Sequence, residues 1–244
     1  IDTLSRAGRT DEAGKAALSL TAAYPDLAQA WIALGDLLRQ QEKFAQAVPA
    51  YDKALALLEG APDDARWFPL YARGIALERS RQFDRAEADF LAAIEIRPNQ
   101  ASLLNYLGYS WIDRNENLDQ ALDLIKKAVE LSPDDGYILD SLAWAYYRLG
   151  RYQEAVAPME KAILTMSQDP LVNDHLGDIY WKVGRYREAE IQWQRALSLD
   201  PTETDDVDPD RLRAKLDRGL DAVLAEEAAG AVQTPAPAPQ AANN

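Results

Sequence analysis

Apolar side chains return along this chain every three or four positions, the period of an α-helix with one buried face. The clearest run, LDSLAWAYYRLGRYQEAVAPMEKAI from Leu139, splits into two such stripes around Gly150, which predicts two helices joined by a short turn. The same pattern returns from Asn173 as NDHLGDIYWKVGRYREAEIQWQRAL, and the strings YRLGRYQEA and WKVGRYREA within the two runs lie 34 residues apart. Further copies begin at Trp31 (WIALGDLLRQQEKFAQAVPAYDKAL) and Leu70 (LYARGIALERSRQFDRAEADFLAAI). A copy from Leu104 (LNYLGYSWIDRNENLDQALDLIKKAV) carries one extra residue. The opening, RAGRTDEAGKAALSLTAAYP, matches the second half of a unit alone.

Aligning the copies shows which positions the architecture requires. A small residue recurs at one place in each first helix, after leucine in every copy but the one from Leu70, where it follows Arg73: Gly35, Gly74, Gly108, Ala143 and Gly177. The second helix opens on Ala47, Ala86, Ala121, Ala155 or Ala189, with Tyr51, Phe90, Ile125, Met159 or Trp193 four residues later. Small residues let two antiparallel helices approach closely, and the bulky ones are expected to fill the gap to the next pair. Pro25, Pro98, Pro133 and Pro201 end units, since proline cannot continue a helix. Gly150 and Gly184 stand at first-helix ends, where a left-handed residue is least costly in glycine. Pro49 and Pro158 fall inside second helices and predict local bends.

This register resembles the tetratricopeptide repeat family, whose unit is a 34-residue helix–turn–helix. The resemblance covers residues 1–203. It implies an all-α fold, a right-handed superhelix (α-solenoid) of stacked repeats: a partial repeat 1–27, then repeats near 28–61, 67–100, 101–135, 136–169 and 170–203. Between the second and third, LEGAPDDARW is an insertion, with Asp63 or Asp64 as expected N-cap. Beyond Pro201, residues 204–228 read as one capping helix. Asp208 is its N-cap, Pro209 its first residue, and Leu212, Leu216, Leu220 and Leu224 its apolar stripe over the last repeat's core. Residues 229–244 are Ala/Pro-rich and are expected to be disordered.

Composition narrows the function. Of 244 residues, 48% are hydrophobic, enough for a sizeable core, and none is cysteine, which excludes disulfides and cysteine-ligated metals. A net charge of −14 repels phosphate backbones, so nucleic acid is not an expected partner. The chain opens on Ile1 in mid-pattern, so an upstream part carrying any signal or lipid anchor is expected. His175 is the single histidine and reads as a solvent-facing or satisfied residue rather than a catalytic one. Asp206–Arg211 alternates carboxylates as calcium loops do, but Arg211 stands where the sharp-turn glycine is needed. Neither a metal nor another cofactor is expected, and no catalytic motif appears.

In tetratricopeptide proteins the first helices line a concave groove, through the second, fifth, ninth and twelfth positions of each unit. Carried onto this chain, those positions hold Phe68 and Tyr71 in the third unit, Asn105 and Tyr109 in the fourth, Tyr137, Asp140, Trp144 and Tyr147 in the fifth, and Asp174, Asp178 and Trp181 in the sixth. Large aromatics beside polar groups are typical of binding hot spots. Trp31, Trp111, Tyr146, Tyr180 and Trp193 read as core instead. The lysine-rich clamp by which chaperone adaptors hold a partner's terminal carboxylate is missing. Carboxylates replace it and predict a negative strip favouring apolar or basic segments. Much of residues 60–200 also resembles proteobacterial cell-envelope tetratricopeptide proteins, periplasmic or outer-membrane-anchored, some of which are adaptors of carboxy-terminal processing proteases. That resemblance implies a non-catalytic scaffold or adaptor in the bacterial cell envelope, with a cytoplasmic location as alternative. Self-association through the exposed N-terminal repeat is the other expectation.

Overall fold

The computed structural model describes residues 1–201 and 206–233, and among these every regular element is helical. The chain divides into two compact units, Ile1–Ser132 and Pro133–Asn244. Unit 1 holds α1 (Asp2–Arg6), α2 (Thr10–Ala23), α3 (Ala28–Gln40), α4 (Phe44–Leu57), α5 (Trp67–Arg79), α6 (Phe83–Ile96), α7 (Ala101–Asp113) and α8 (Leu118–Leu131). Unit 2 holds α9 (Gly136–Arg148), α10 (Tyr152–Thr165), α11 (Pro170–Lys182), α12 (Tyr186–Ser198), α13 (Pro209–Arg218) and α14 (Leu220–Gln233). Within each unit, successive helices pair as antiparallel hairpins and each hairpin packs on the next. No described helix is long and apolar enough to cross a membrane.

The hairpin is closed by side-chain volume. A Cβ on Gly35 would fall 2.7 Å from the Tyr51 ring, one on Gly74 2.6 Å from Phe90, and one on Gly177 2.4 Å from Trp193. The bulky residue therefore covers the small residue of its own repeat, and Phe90 also reaches the next pair as expected, its ring 5.2 Å from that of Tyr106 on α7. Tyr51, Phe90, Ile125, Met159 and Trp193 are all buried. So are the alanines opening the second helices, Ala47, Ala86, Ala121, Ala155 and Ala189.

The turns explain the repeated nonapeptide. Gly150 and Gly184 adopt φ of 72° and 83°, and Glu42, Arg81 and Asn115 hold the corresponding left-handed place at 57°, 62° and 58°. The next residue starts the second helix without a side-chain cap at Arg151 and Arg185. These two arginines instead grip Glu154 and Glu188, three residues on. GRYxEA is thus a left-handed glycine, an ion pair across the first helical turn and a packing alanine. The glutamate also lies at the favourable N-terminal end of the helix dipole.

α4 and α10 each carry their internal proline, Pro49 or Pro158, with helix on both sides of it. Other expectations are revised. The insertion forms a 3-10 turn, Asp63–Ala65, and neither Asp63 nor Asp64 caps α5, whose N-cap position is Arg66. The expected single capping helix 204–228 is two helices, because Gly219 takes φ 81° and ψ 157° and turns the chain between them. Asp208 caps α13 as expected, accepting from the Asp210 backbone N–H at 2.8 Å. α14 extends to Gln233, so the start of the expected tail is helical, while 234–244 lies outside the described residues.

Candidate protein-binding site

The predicted groove residues of unit 1 lie on α5 and α7. Tyr71 meets Tyr106 edge-on at 6.0 Å and Phe90 at 6.3 Å, so its ring is partly consumed by packing. Phe68 stands against Trp67 at 5.8 Å. Asn105 and Tyr109 are half-buried. The Asn105 Oδ1 atom is buried without a hydrogen-bond partner.

Unit 2 gathers its residues more tightly. Trp144 stacks on Tyr147 at 4.6 Å with 6° between planes, and its other face stacks on His175 at 3.9 Å. Tyr152 tilts against Tyr147 at 5.4 Å. The half-buried edge of this pile opens into a pocket of about 380 Å³ lined by Trp144, Tyr147, Arg148, Tyr152, Asp178, Lys182, Arg211, Leu224 and Glu227. Spacing on α9 places Trp144 and Arg148 one turn apart on the same face, with Tyr147 between them in register. α11 adds Asp178 and Lys182 by the same four-residue step.

Two predicted residues lie elsewhere or are covered. Tyr137 is 67% exposed and lines a separate hollow with Asp135, Thr165, Met166 and Asp169. Trp181 donates from Nε1 to Asp221 at 3.0 Å, and a Cβ on Gly219 would fall 2.5 Å from its ring. The α13–α14 corner therefore covers it.

The expected acidic strip is not open. Asp140, Asp174 and Asp178 are all buried. Asp140 accepts or shares a proton with His175 Nδ1 at 2.9 Å. Asp174 and Asp178 receive the fully buried ammonium of Lys215 at 2.6 and 2.7 Å, and Asp178 also accepts from Trp193 Nε1 at 2.9 Å. Arg211 adds a second cation 3.8 Å from Asp178 and donates to Glu227 at 2.6 Å. The chain's own cations thus neutralise the carboxylates that sequence reasoning assigned to a basic partner. Burial and the neighbouring Asp174 push the Asp178 carboxyl up to about 6 against the pull of Lys215. Burial alone would lower the His175 value, but the charge of Asp140, with Asp174 and Asp178 behind it, raises it.

Lys215 was missed, although a signal exists. With Leu212 and Leu216 it shares one helical face at steps of three and four, and a lysine on a buried stripe demands a buried carboxylate. Tyr152, Leu224 and Glu227 carry no such signal, because hairpin packing and the Gly219 corner bring them to the pocket.

Comparison with known proteins supports the repeat fold. Tetratricopeptide repeat profiles match residues 1–65, 71–136, 113–170 and 170–203. The TPR repeat-containing protein PA4667 of Pseudomonas aeruginosa is 35% identical over 158 residues, 63% of this chain, and the chain spans 25% of that protein's length. Among solved structures, pilF of Pseudomonas aeruginosa aligns with a TM-score of 0.61 at 19% identity over 81% of this chain and 87% of its own. The APC/C hetero-tetramer Cut9–Hcn1 aligns with a TM-score of 0.74 at 17% identity, over 93% of this chain and 42% of its own. At such identities the structures speak for the fold alone. The repeat register, the glycine-backed hairpins and the matching profiles make this chain a member of the tetratricopeptide repeat family.

Proposed function

We propose that the chain is a non-catalytic scaffold or adaptor that holds segments of partner proteins at the Trp144–Tyr147 pocket of unit 2. The observation that carries this reading is the stacked aromatic pile opening on a pocket with charged groups at its rim. Rigid aromatics bury much area at low entropic cost, and the nearby arginines and lysine orient polar groups of an incoming segment. Tetratricopeptide proteins act as protein-interaction scaffolds, and one structural neighbour, YrrB, is described as having an unusual peptide-binding site (19% identity, TM-score 0.55, 78% of this chain and 95% of its own). The resemblance of residues 60–200 to envelope proteins and the identity with a Pseudomonas protein support a place in a bacterial envelope complex, with a processing protease as one candidate partner.

The test is capture from a bacterial envelope extract by the full chain and by a Trp144→Ala/Tyr147→Ala variant of unchanged helical content. The reading expects proteins retained by the first and lost by the second. Equal recovery of every protein by both removes the pocket from the function.

A further inference from the structure

The last repeat already holds a ligand, and that ligand is part of the chain. On α13, Arg211, Leu212 and Lys215 lie on one face and fill the place above the groove positions Asp174 and Asp178 of α11. Leu212 and Lys215 have no exposed side-chain surface. α14 then folds back so that Leu224 and Glu227 form one wall of the aromatic pocket. Elsewhere in the segment Val207, Leu220 and Val223 are buried and Asp221 accepts from Trp181 Nε1 and Lys182, while Asp217, Arg218, Ala225 and Glu226 face solvent. α13 is preceded by Asp206 at φ 54° and followed by Gly219 at φ 81°, where the chain turns into α14.

We propose that α13–α14 is an exchangeable internal ligand, and that the partner segment able to replace it is a basic amphipathic helix with a leucine and two cations spaced as in Arg211, Leu212 and Lys215. This rests on the binding reading for the same pocket and names its partner. The physical reason is the carboxylate pair. With α13 withdrawn, Asp174 and Asp178 keep Trp193 Nε1 as a donor to Asp178 but lose their ammonium. Buried carboxylates without a cation are strongly disfavoured, so an apolar helix cannot substitute for α13, whereas one that brings an ammonium can. A bound partner thus competes with an intramolecular segment present at high effective concentration, which keeps the site closed to weak or wrongly charged segments.

The experiment uses the full chain and a fluorescent synthetic peptide of residues 207–228. A Leu212→Ala/Leu220→Ala variant weakens the internal segment and leaves α9 and α11 intact. The peptide is expected to bind this variant at least tenfold more tightly than the unaltered chain, and a Lys215→Gln peptide is expected to lose at least tenfold on the same variant. Equal affinity for both chains, or for both peptides, overturns the proposal. If circular dichroism shows the variant unfolded, hydrogen exchange on the unaltered chain decides instead. Amides of 210–229 opening together, at least tenfold more often than those of α11 and α12, support exchange; opening only with those helices overturns it. Partner capture that still depends on Trp144 while the peptide tests fail would leave the pocket standing and remove the exchange alone.

Discussion

At the scale of single residues, the repeat imposes two demands that the chain meets unequally. The turn demands a left-handed residue, which glycine supplies at 150 and 184 and side-chain-bearing residues supply at 42, 81 and 115. The latter carry strain of about 1 kcal/mol. Arg81→Gly should therefore raise unfolding stability by no more than about 0.5 kcal/mol after its entropy cost is offset, and Gly150→Ala should lower it by about 1 kcal/mol, both read by urea titration. The hairpin demands a small residue beneath a bulky one. Gly177→Ala drives a Cβ into the Trp193 indole, whose Nε1 is tied to Asp178, so the ring cannot move freely. A loss of about 2 kcal/mol or more is expected, against a gain of about 0.5–1 kcal/mol for Gly14→Ala inside α2, where nothing stands within 4 Å and alanine is the better helix former. These demands were legible before any coordinates, because each recurs at a fixed place in the register. What spacing left open was how closely each bulky residue presses on the small residue of its own hairpin, since spacing names a face and not the neighbour met there.

At the scale of elements, the hairpins from α3 to α12 could be read from periodicity, but the C-terminal cap could not be placed. Leu212, Leu216, Leu220 and Leu224 make an unbroken stripe on paper, and only the positive φ of Gly219 turns it into two helices. That break puts Asp221 under Trp181 and Lys182, and Lys215 over α11. The cap therefore belongs to the groove chemistry, and the carboxylates expected to face a partner were already occupied. Lys215→Met should weaken α13 docking by about 3–5 kcal/mol, because it leaves two buried carboxylates without their ammonium. Adding Asp174→Asn and Asp178→Asn should recover much of the loss, since the whole network then becomes neutral. A thermodynamic cycle over the single and combined variants measures the coupling; simple additivity would mean that the buried ion pairs contribute nothing specific.

At the scale of the whole chain, the buried titratable groups set an unusual pH response. His175 and Asp178 both hold a proton more tightly folded than unfolded, where their ordinary values are 6.5 and 3.8. Each contributes stability that is full below its unfolded value and is lost as pH rises through its folded value. Stability should accordingly increase as pH falls from neutral to pH 5, with Asp178 contributing on the order of 1 kcal/mol as pH drops below its folded value of about 6 and His175 acting in the same direction. Glu160, Glu188 and Asp221, held below their ordinary range by hydrogen bonds from Arg185 and Lys182, act oppositely and weaken the fold only at more acidic pH. Thermal melts from pH 4 to pH 9 read the curve, and His175→Gln should flatten its upper limb. A midpoint that falls steadily from pH 8 to pH 5 would show that the buried cluster is not protonated as its geometry implies.

If partner segments dock at the Trp144–Tyr147 pocket, a photoreactive side chain placed there will join to them on irradiation. A photoreactive phenylalanine analogue is placed at Tyr147, in the pocket, and separately at Leu164, an exposed position on α10 that does not line it. After irradiation in a bacterial envelope extract, the account predicts discrete protein adducts from position 147 and none from 164. Adducts from 164 with none from 147 would contradict it.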